Sequence, residues 1–161
     1  MSKTGHNHMI EVIEYNDQYA ADFKRLNLEW LDKFSLTEEA DLMVLNDPQA
    51  MVIDTGGAIY LAKAENKIIG TAAVINEHEG IFELAKMTVE PSWQGQGISR
   101  LLIEKCIEKA TSLGAKKIIL FSNSQLQPAI SLYSKYGFKH VDVTGSPFLT
   151  ADIKMELDVS K

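Results

Sequence analysis

The stretch Val89-Glu90-Pro91-Ser92-Trp93-Gln94-Gly95-Gln96-Gly97-Ile98-Ser99-Arg100 holds residue types suited to gripping an anion. A strand-like run ends at Val89, a turn with two glycines follows, and a helical stripe begins. The first turn of a helix leaves its N–H groups unpaired at the positive end of the helix dipole. Glycine lets that backbone come close to a ligand. Together these features suit a pyrophosphate. Two better-known phosphate loops are excluded by the letters. A Walker loop needs Gly-x-x-x-x-Gly-Lys-Ser/Thr, which the chain lacks, and a dinucleotide fingerprint needs a third glycine where Arg100 stands. On these residues alone, a phosphate-holding turn and a plain helix entry turn are equally open.

The elements that must carry this turn are legible from periodicity. Met9 to Glu14 alternates as a strand and ends at Asn16-Asp17, where a helix starts. Tyr19, Phe23, Leu26, Trp30 and Phe34 recur at helical spacing. A short helix is expected from a Thr37 cap, with Glu38 and Glu39 in its first turn, ending at Asn46-Asp47-Pro48. Ala58 to Ala64, Lys67 to Asn76 and Ile81 to Val89 read as an antiparallel meander turning at Glu65-Asn66 and at Glu77 to Gly80. A helix is predicted from about Gln96 to Leu113, with Ile98, Leu101, Leu102, Cys106, Ala110 and Leu113 as its apolar stripe and Gly114 as its stop. Lys117 to Ser122 is a buried parallel-type strand. Gln127 to Tyr136 is a helix opened by Pro128, and Phe138 to Val143 and Ala151 to Leu157 close the sheet. The expected fold is α/β, a mixed sheet in the order β-α-α-β-β-β-α-β-α-β-β with helices on both faces.

A chain of 161 residues, 45% apolar and 24% charged, fits one globular domain, taken as 9–161. Residues 1–8 read as a disordered lead or remnants of cloning; His6 and His8 there are a weak case for a metal, and no metal site is expected. The net charge of −6 argues against nucleic-acid binding and mildly favours a cationic substrate. No apolar run approaches the roughly 20 residues of a membrane span, and the N-terminus lacks a signal core. The single cysteine, Cys106, permits no internal disulfide, so a cytoplasmic location is expected. Cys106 lies on an apolar stripe and reads as packing, and His78 and His140 as surface residues.

Gln94-Gly95-Gln96-Gly97-Ile98-Ser99 resembles motif A of the GNAT N-acetyltransferase family, Gln/Arg-x-x-Gly-x-Gly/Ala. Ser99 departs from the last position, but serine is small and its hydroxyl can donate to a phosphate. Asn123 followed by Ala129-Ile130-Ser131-Leu132-Tyr133-Ser134-Lys135-Tyr136-Gly137-Phe138 resembles motif B, and Glu83-Leu84-Ala85-Lys86-Met87-Thr88-Val89 is similar to the family's cofactor-facing strand. The resemblance runs from Ile10 to Val159.

It implies the GNAT acyl-CoA N-acyltransferase fold and acetyl-CoA as cosubstrate. It further implies that Met87, Thr88 and Val89 pair with the pantetheine arm across a splayed, bulged strand. An N–H near Met87 would hold the developing oxyanion. Backbone N–H groups of Gln94, Gly95, Gln96, Gly97, Ile98 and Ser99 would hold the pyrophosphate. Arg100 reaches a phosphate or is a solvated helix charge. Tyr133 takes the family's place for the acid that protonates the departing thiolate. Glu83 takes the place of the base, acting directly or through water, since an amine with a pKa of about 10.4 must lose a proton before it attacks. Asn123 orders the cofactor arm or a water, or makes an Asx turn. Direct attack in a ternary complex is implied.

The acceptor would lie between Trp30 to Asp41 and Thr144 to Thr150. Trp30, Phe34 and Phe148 either wall it or belong to the core. Glu38, Glu39 and Asp41 either draw in a cation or form a solvated helix turn. A small cationic amine is the expected acceptor. The alternatives are a protein lysine or N-terminus, and a non-catalytic acyl-CoA sensor, against which the presence of both Tyr133 and Glu83 speaks. A homodimer is a habit of the family.

Overall fold

The computed structural model describes residues 9–160, so the expectation for residues 1–8 lies outside the described residues. The chain runs β1 (Glu11–Glu14), α1 (Ala20–Lys33), α2 (Glu39–Asn46), β2 (Ala58–Ala64), β3 (Lys67–His78), β4 (Ile81–Val89), α3 (Ile98–Ser112), β5 (Lys117–Ser122), α4 (Gln127–Lys135), β6 (Lys139–Val141) and β7 (Ile153–Asp158). This is the expected order. Short helical turns at Asp17–Tyr19, Gln49–Ile53 and Pro91–Trp93 are added to it. The hairpin turns fall where their residues predicted them: Glu65 and Asn66 have φ of 54° and 66°, the left-handed pair that a twisted two-residue hairpin requires.

The strands form one sheet in the order β1-β2-β3-β4-β5-β7-β6. The β4–β5 pair is parallel and the others are antiparallel. Residues along β2 alternate between two cores. Ala58, Tyr60, Ala62 and Ala64 join α3 residues Ile98, Leu102, Ile103, Cys106 and Ala110, with Ile130 and Tyr133 of α4. Ile59 and Leu61 join Phe23 and Leu26 of α1 and Leu45 of α2. The period-2 geometry of a strand sends neighbours to opposite faces, so helices cover both sides.

Several boundaries differ from expectation. Met9 and Ile10 precede β1, because pairing with β2 reaches only Glu11. Leu101 and Leu113 are 41% and 44% exposed, and Ile103 takes their place in the stripe. α2 begins after Glu38, not Thr37; Asp41 accepts a hydrogen bond from the Glu38 N–H at 2.9 Å, the return half of a capping box. β6 keeps only Lys139–Val141, all exposed, since an edge strand with one neighbour buries little. β7 begins at Ile153, because Asp152 is drawn away to accept from the N–H and hydroxyl of Ser124, both at 2.8 Å.

Two irregularities make the site. β4 and β5 pair only at Ile81↔Lys117, Phe82↔Ile118 and Glu83↔Ile119, whereas β5 continues along β7 to Ser122. The two strands therefore part beyond Glu83. On its other edge β4 pairs Ala85 with Ala73 and Thr88 with Thr71, so Lys86 and Met87 together oppose Ala72. That is a β-bulge, and Lys86 adopts a φ of 54° within it.

Candidate active site

A cleft of about 110 Å³ opens where β4 and β5 part. Leu84, Ala85, Lys86 and Met87 form one lip, and Phe121, Ser122 and Asn123 the other. Tyr133 of α4, Asn27 and Trp30 of α1, Asp41 of α2 and Phe148 complete the lining. Among the residues expected at the site, Glu83, Met87, Asn123 and Tyr133 share this cleft. Thr88 and Val89 are buried, and the turn Gln94 to Arg100 does not line it.

Lys86 is held at both ends. Its carbonyl accepts a hydrogen bond from the Thr71 hydroxyl at 2.7 Å. Its ammonium pairs with the Asp41 carboxylate and lies 4.9 Å from the centre of the Phe148 ring. Both side chains of the ion pair are buried, at 6% and 5% exposure. Among the described residues no peptide is cis, so the Met87 N–H points opposite to the Lys86 carbonyl. It therefore faces away from β3, toward the gap beside β5.

Glu83 sits where the two strands begin to part, 5% exposed. Burial pushes its carboxyl well above the usual carboxylate range, and the neighbouring Glu77 carboxyl adds to this against the opposing charge of Lys86. Such a group ionises near neutral pH, where a base is most useful. Burial pushes the Tyr133 phenol up to about 12, with a smaller contribution from Cys106. Its ring packs edge-on against Phe138 with centroids 6.0 Å apart. Among the described residues the Tyr133 hydroxyl has no hydrogen-bond partner, yet no fully buried side-chain polar atom lacks one. The hydroxyl is thus reached from the cleft, and it stays protonated at any ordinary pH.

Asn123 makes the Asx turn: its side-chain oxygen accepts from the Gln125 N–H at 3.0 Å. Its amide also donates to the Thr150 carbonyl at 2.8 Å, tying β5 to the loop that carries Phe148. The Gln94 amide donates to the Val89 carbonyl at 3.0 Å and braces the glycine turn. Gly95 and Gly97 have φ of 83° and 80°, and a Cβ added at either would meet nothing within 4 Å. Gly97 caps α3 in the left-handed conformation, and Gln94 to Gly97 are exposed ahead of its first turn. Ile98, the first helical residue, is buried. The Arg100 guanidinium lies beside the Tyr136 hydroxyl, which also donates to Glu104. Arg100 therefore braces α3 against α4.

Two of the three acids expected to draw in a cation are otherwise engaged. Glu38 accepts from the N–H groups of Leu149 and Thr150, both at 2.8 Å, and from the Thr150 hydroxyl. Although burial opposes its charge, these donors hold its carboxyl below the ordinary range. Asp41 is neutralised by Lys86, and Glu39 is exposed. Trp30 and Phe148 do wall the cleft. Phe34 does not line it; its ring packs against Trp30 at 5.3 Å. Asn27, Thr71 and Lys86 were missed from sequence. Their signal was polarity out of place: Asn27 on the stripe of Phe23 and Trp30, Thr71 inside the apolar run of β3, and Lys86 inside β4. Among the described residues no group of His, Cys, Asp and Glu could hold a metal ion, and no helix is long and apolar enough to cross a membrane.

Comparison with known proteins agrees with this geometry. Residues 16–138 match the model of the acetyltransferase (GNAT) family. The chain is 35% identical over 89 residues to N-acetylaspartate synthetase of Xenopus tropicalis, covering 55% of this chain and 33% of that one. It is 31% identical over 90 residues to the uncharacterised N-acetyltransferase YjgM of Escherichia coli, covering 54% of each. The chain thus spans a third to a half of the length of these relatives. A GNAT-family acetyltransferase structure from Staphylococcus aureus superposes with a TM-score of 0.87 at 21% identity, covering 94% of this chain and all of that one. PaiA N-acetyltransferase of Thermoplasma acidophilum, solved with coenzyme A, superposes with a TM-score of 0.71 at 17% identity, covering 93% and 99%.

Proposed function

Because this chain belongs to the GNAT acetyltransferase family, we propose that it transfers an acetyl group from acetyl-CoA to a small primary amine. The observation that carries the reading is the parting of β4 from β5 around a bulge whose Met87 N–H faces the gap, with Tyr133 and Glu83 on the same cleft. The open edge of β4 suits an extended pantetheine arm. The left-handed glycine turn at Gly95 and Gly97 suits its pyrophosphate.

In this reading the amine arrives as an ammonium and gives a proton to Glu83, directly or through water. Its lone pair attacks the thioester carbonyl carbon. The Met87 N–H stabilises the oxyanion that develops, the C–S bond breaks, Tyr133 protonates the departing thiolate, and the second proton shed by the nitrogen as the amide forms passes through water to restore the Tyr133 phenol. No enzyme nucleophile is needed, and Cys106 is unsuited to the role, since burial pushes its thiol up and seals it from the cleft.

The acceptor end supports a small molecule. Trp30 and Phe148 wall it, and Glu38 holds the Leu149–Thr150 backbone down beside it. N-acetylaspartate, in the name of the frog relative, is a small acetylated amine. The test is titration with acetyl-CoA by calorimetry, followed by thiol release across a panel of amines and peptides. Binding with amine-dependent release, lowered about a hundredfold in Tyr133→Phe, is expected. Binding without release on any amine would refute turnover, and release with peptides alone would refute the small acceptor.

A further inference from the structure

The bulge peptide is held by a chain of hydrogen bonds from α1. Asn27 is 2% exposed, and its amide nitrogen donates to the Phe23 carbonyl at 2.9 Å and to the Thr71 hydroxyl oxygen at 3.1 Å. A carbonyl only accepts, so Phe23 fixes which way the Asn27 amide is turned. Having accepted from Asn27, the fully buried Thr71 hydroxyl sends its own proton to the Lys86 carbonyl at 2.7 Å. That carbonyl belongs to the same peptide as the Met87 N–H, which faces the gap.

We propose that Thr71, oriented by Asn27, is a positioning residue for acetyl transfer: it aims and strengthens the Met87 N–H as the oxyanion donor. The inference rests on the acetyl-transfer reading above. The bulge takes Lys86 and Met87 out of register with β3, so the ladder does not fix this peptide. A peptide whose carbonyl is hydrogen-bonded is polarised and donates better from its N–H, and a chain of such bonds reinforces the effect. Buried as it is, Thr71 is not replaced by solvent. Asn27 also lines the cleft.

The test is Thr71→Val against Thr71→Ser, with Asn27→Asp as a second route. Thr71→Val keeps the shape and removes the proton. Its kcat should fall roughly ten- to a hundredfold, less than the 10²–10³ that follows loss of a whole oxyanion donor. KM for acetyl-CoA should stay within about twofold. Thr71→Ser should restore kcat. Asn27→Asp, whose carboxylate cannot donate to the Thr71 hydroxyl and competes for its proton, should fall with Thr71→Val. A folded Thr71→Val with wild-type kcat, or a Thr71→Ser as slow as Thr71→Val, would overturn the proposal. The amide proton resonance of Met87 reads the relay without turnover. It should move upfield in Thr71→Val and hold in Thr71→Ser. If the wild type released no thiol with any amine, the acetyl-transfer reading would fall, while an unmoved resonance in Thr71→Val would sink the relay itself.

Discussion

Replacing Asp41 by asparagine strands the Lys86 ammonium. The two side chains are 5% and 6% exposed, so neither charge is shared with bulk water. Breaking such a pair from one side costs roughly 3–5 kcal/mol, because the remaining charge stays buried without its partner. At roughly 2–4 °C per kcal/mol for a chain of this size, Asp41→Asn should melt about 6–20 °C below the wild type at pH 7. The converse change, Lys86→Met, should cost less. Asp41 keeps a hydrogen-bond donor, the Glu38 N–H at 2.9 Å, whereas Lys86 keeps no acceptor among the described residues, only the Phe148 ring and the more distant carboxyls of Glu38 and Glu83. The double variant Asp41→Leu with Lys86→Met should recover most of the loss, since an apolar pair removes both desolvation terms. The pH dependence has a definite sign. In Asp41→Asn the ammonium is disfavoured in the folded state, so that variant binds fewer protons folded than unfolded, and its deficit should shrink as pH rises. Melts of these proteins between pH 6 and 9, with Asp41→Leu alone added, close a double-mutant cycle. A melting point for Asp41→Asn within about 2 °C of wild type at pH 7 would refute the reasoning, because that is less than one kcal/mol.

Other outcomes follow from the same geometry. The raised Glu83 pKa places the acidic limb of kcat/KM well above the range of a free carboxylate, and Glu83→Gln should remove that limb and cost about 10²–10⁴ in rate. Because the folded protein favours protonated Glu83, wild-type stability falls as pH rises from the unfolded pKa to the raised folded one. Glu83→Gln should therefore out-melt the wild type at pH 9 and lose that advantage below pH 5; equal melting points at both would count against it. Gly97→Ala places a side chain at a φ of 80°, where it meets nothing. It should cost roughly 1–2 kcal/mol in stability through backbone conformation alone, and should weaken acetyl-CoA binding by at least about tenfold through the lost close approach, read by calorimetry.

The sequence by itself determined the order of strands and helices, the hairpin turns and the glycine turn before α3. These are local properties: periodicity, turn chemistry and helix starts are written within a few residues of one another. Glu83, Tyr133, Asn123 and the glycine turn were named for the same reason, from contiguous motifs that resemble the family's. The tertiary structure alone decided what those motifs face. The Asn27–Thr71 and Lys86–Asp41 partners lie 44 and 45 residues apart, and only the packing of α1 and α2 onto the sheet brings them together. One extra residue in β4 opposite Ala72 reverses which way the chain faces, so no alternation pattern in Leu84-Ala85-Lys86-Met87-Thr88 could foretell it. Glu38 and Asp41 illustrate the same limit. Their sequence says acidic helix turn, but the fold gives one to the backbone of the Leu149–Thr150 loop and the other to Lys86. A charge declares its sign in the sequence, but its partner is chosen by whatever the packed chain leaves within hydrogen-bonding reach.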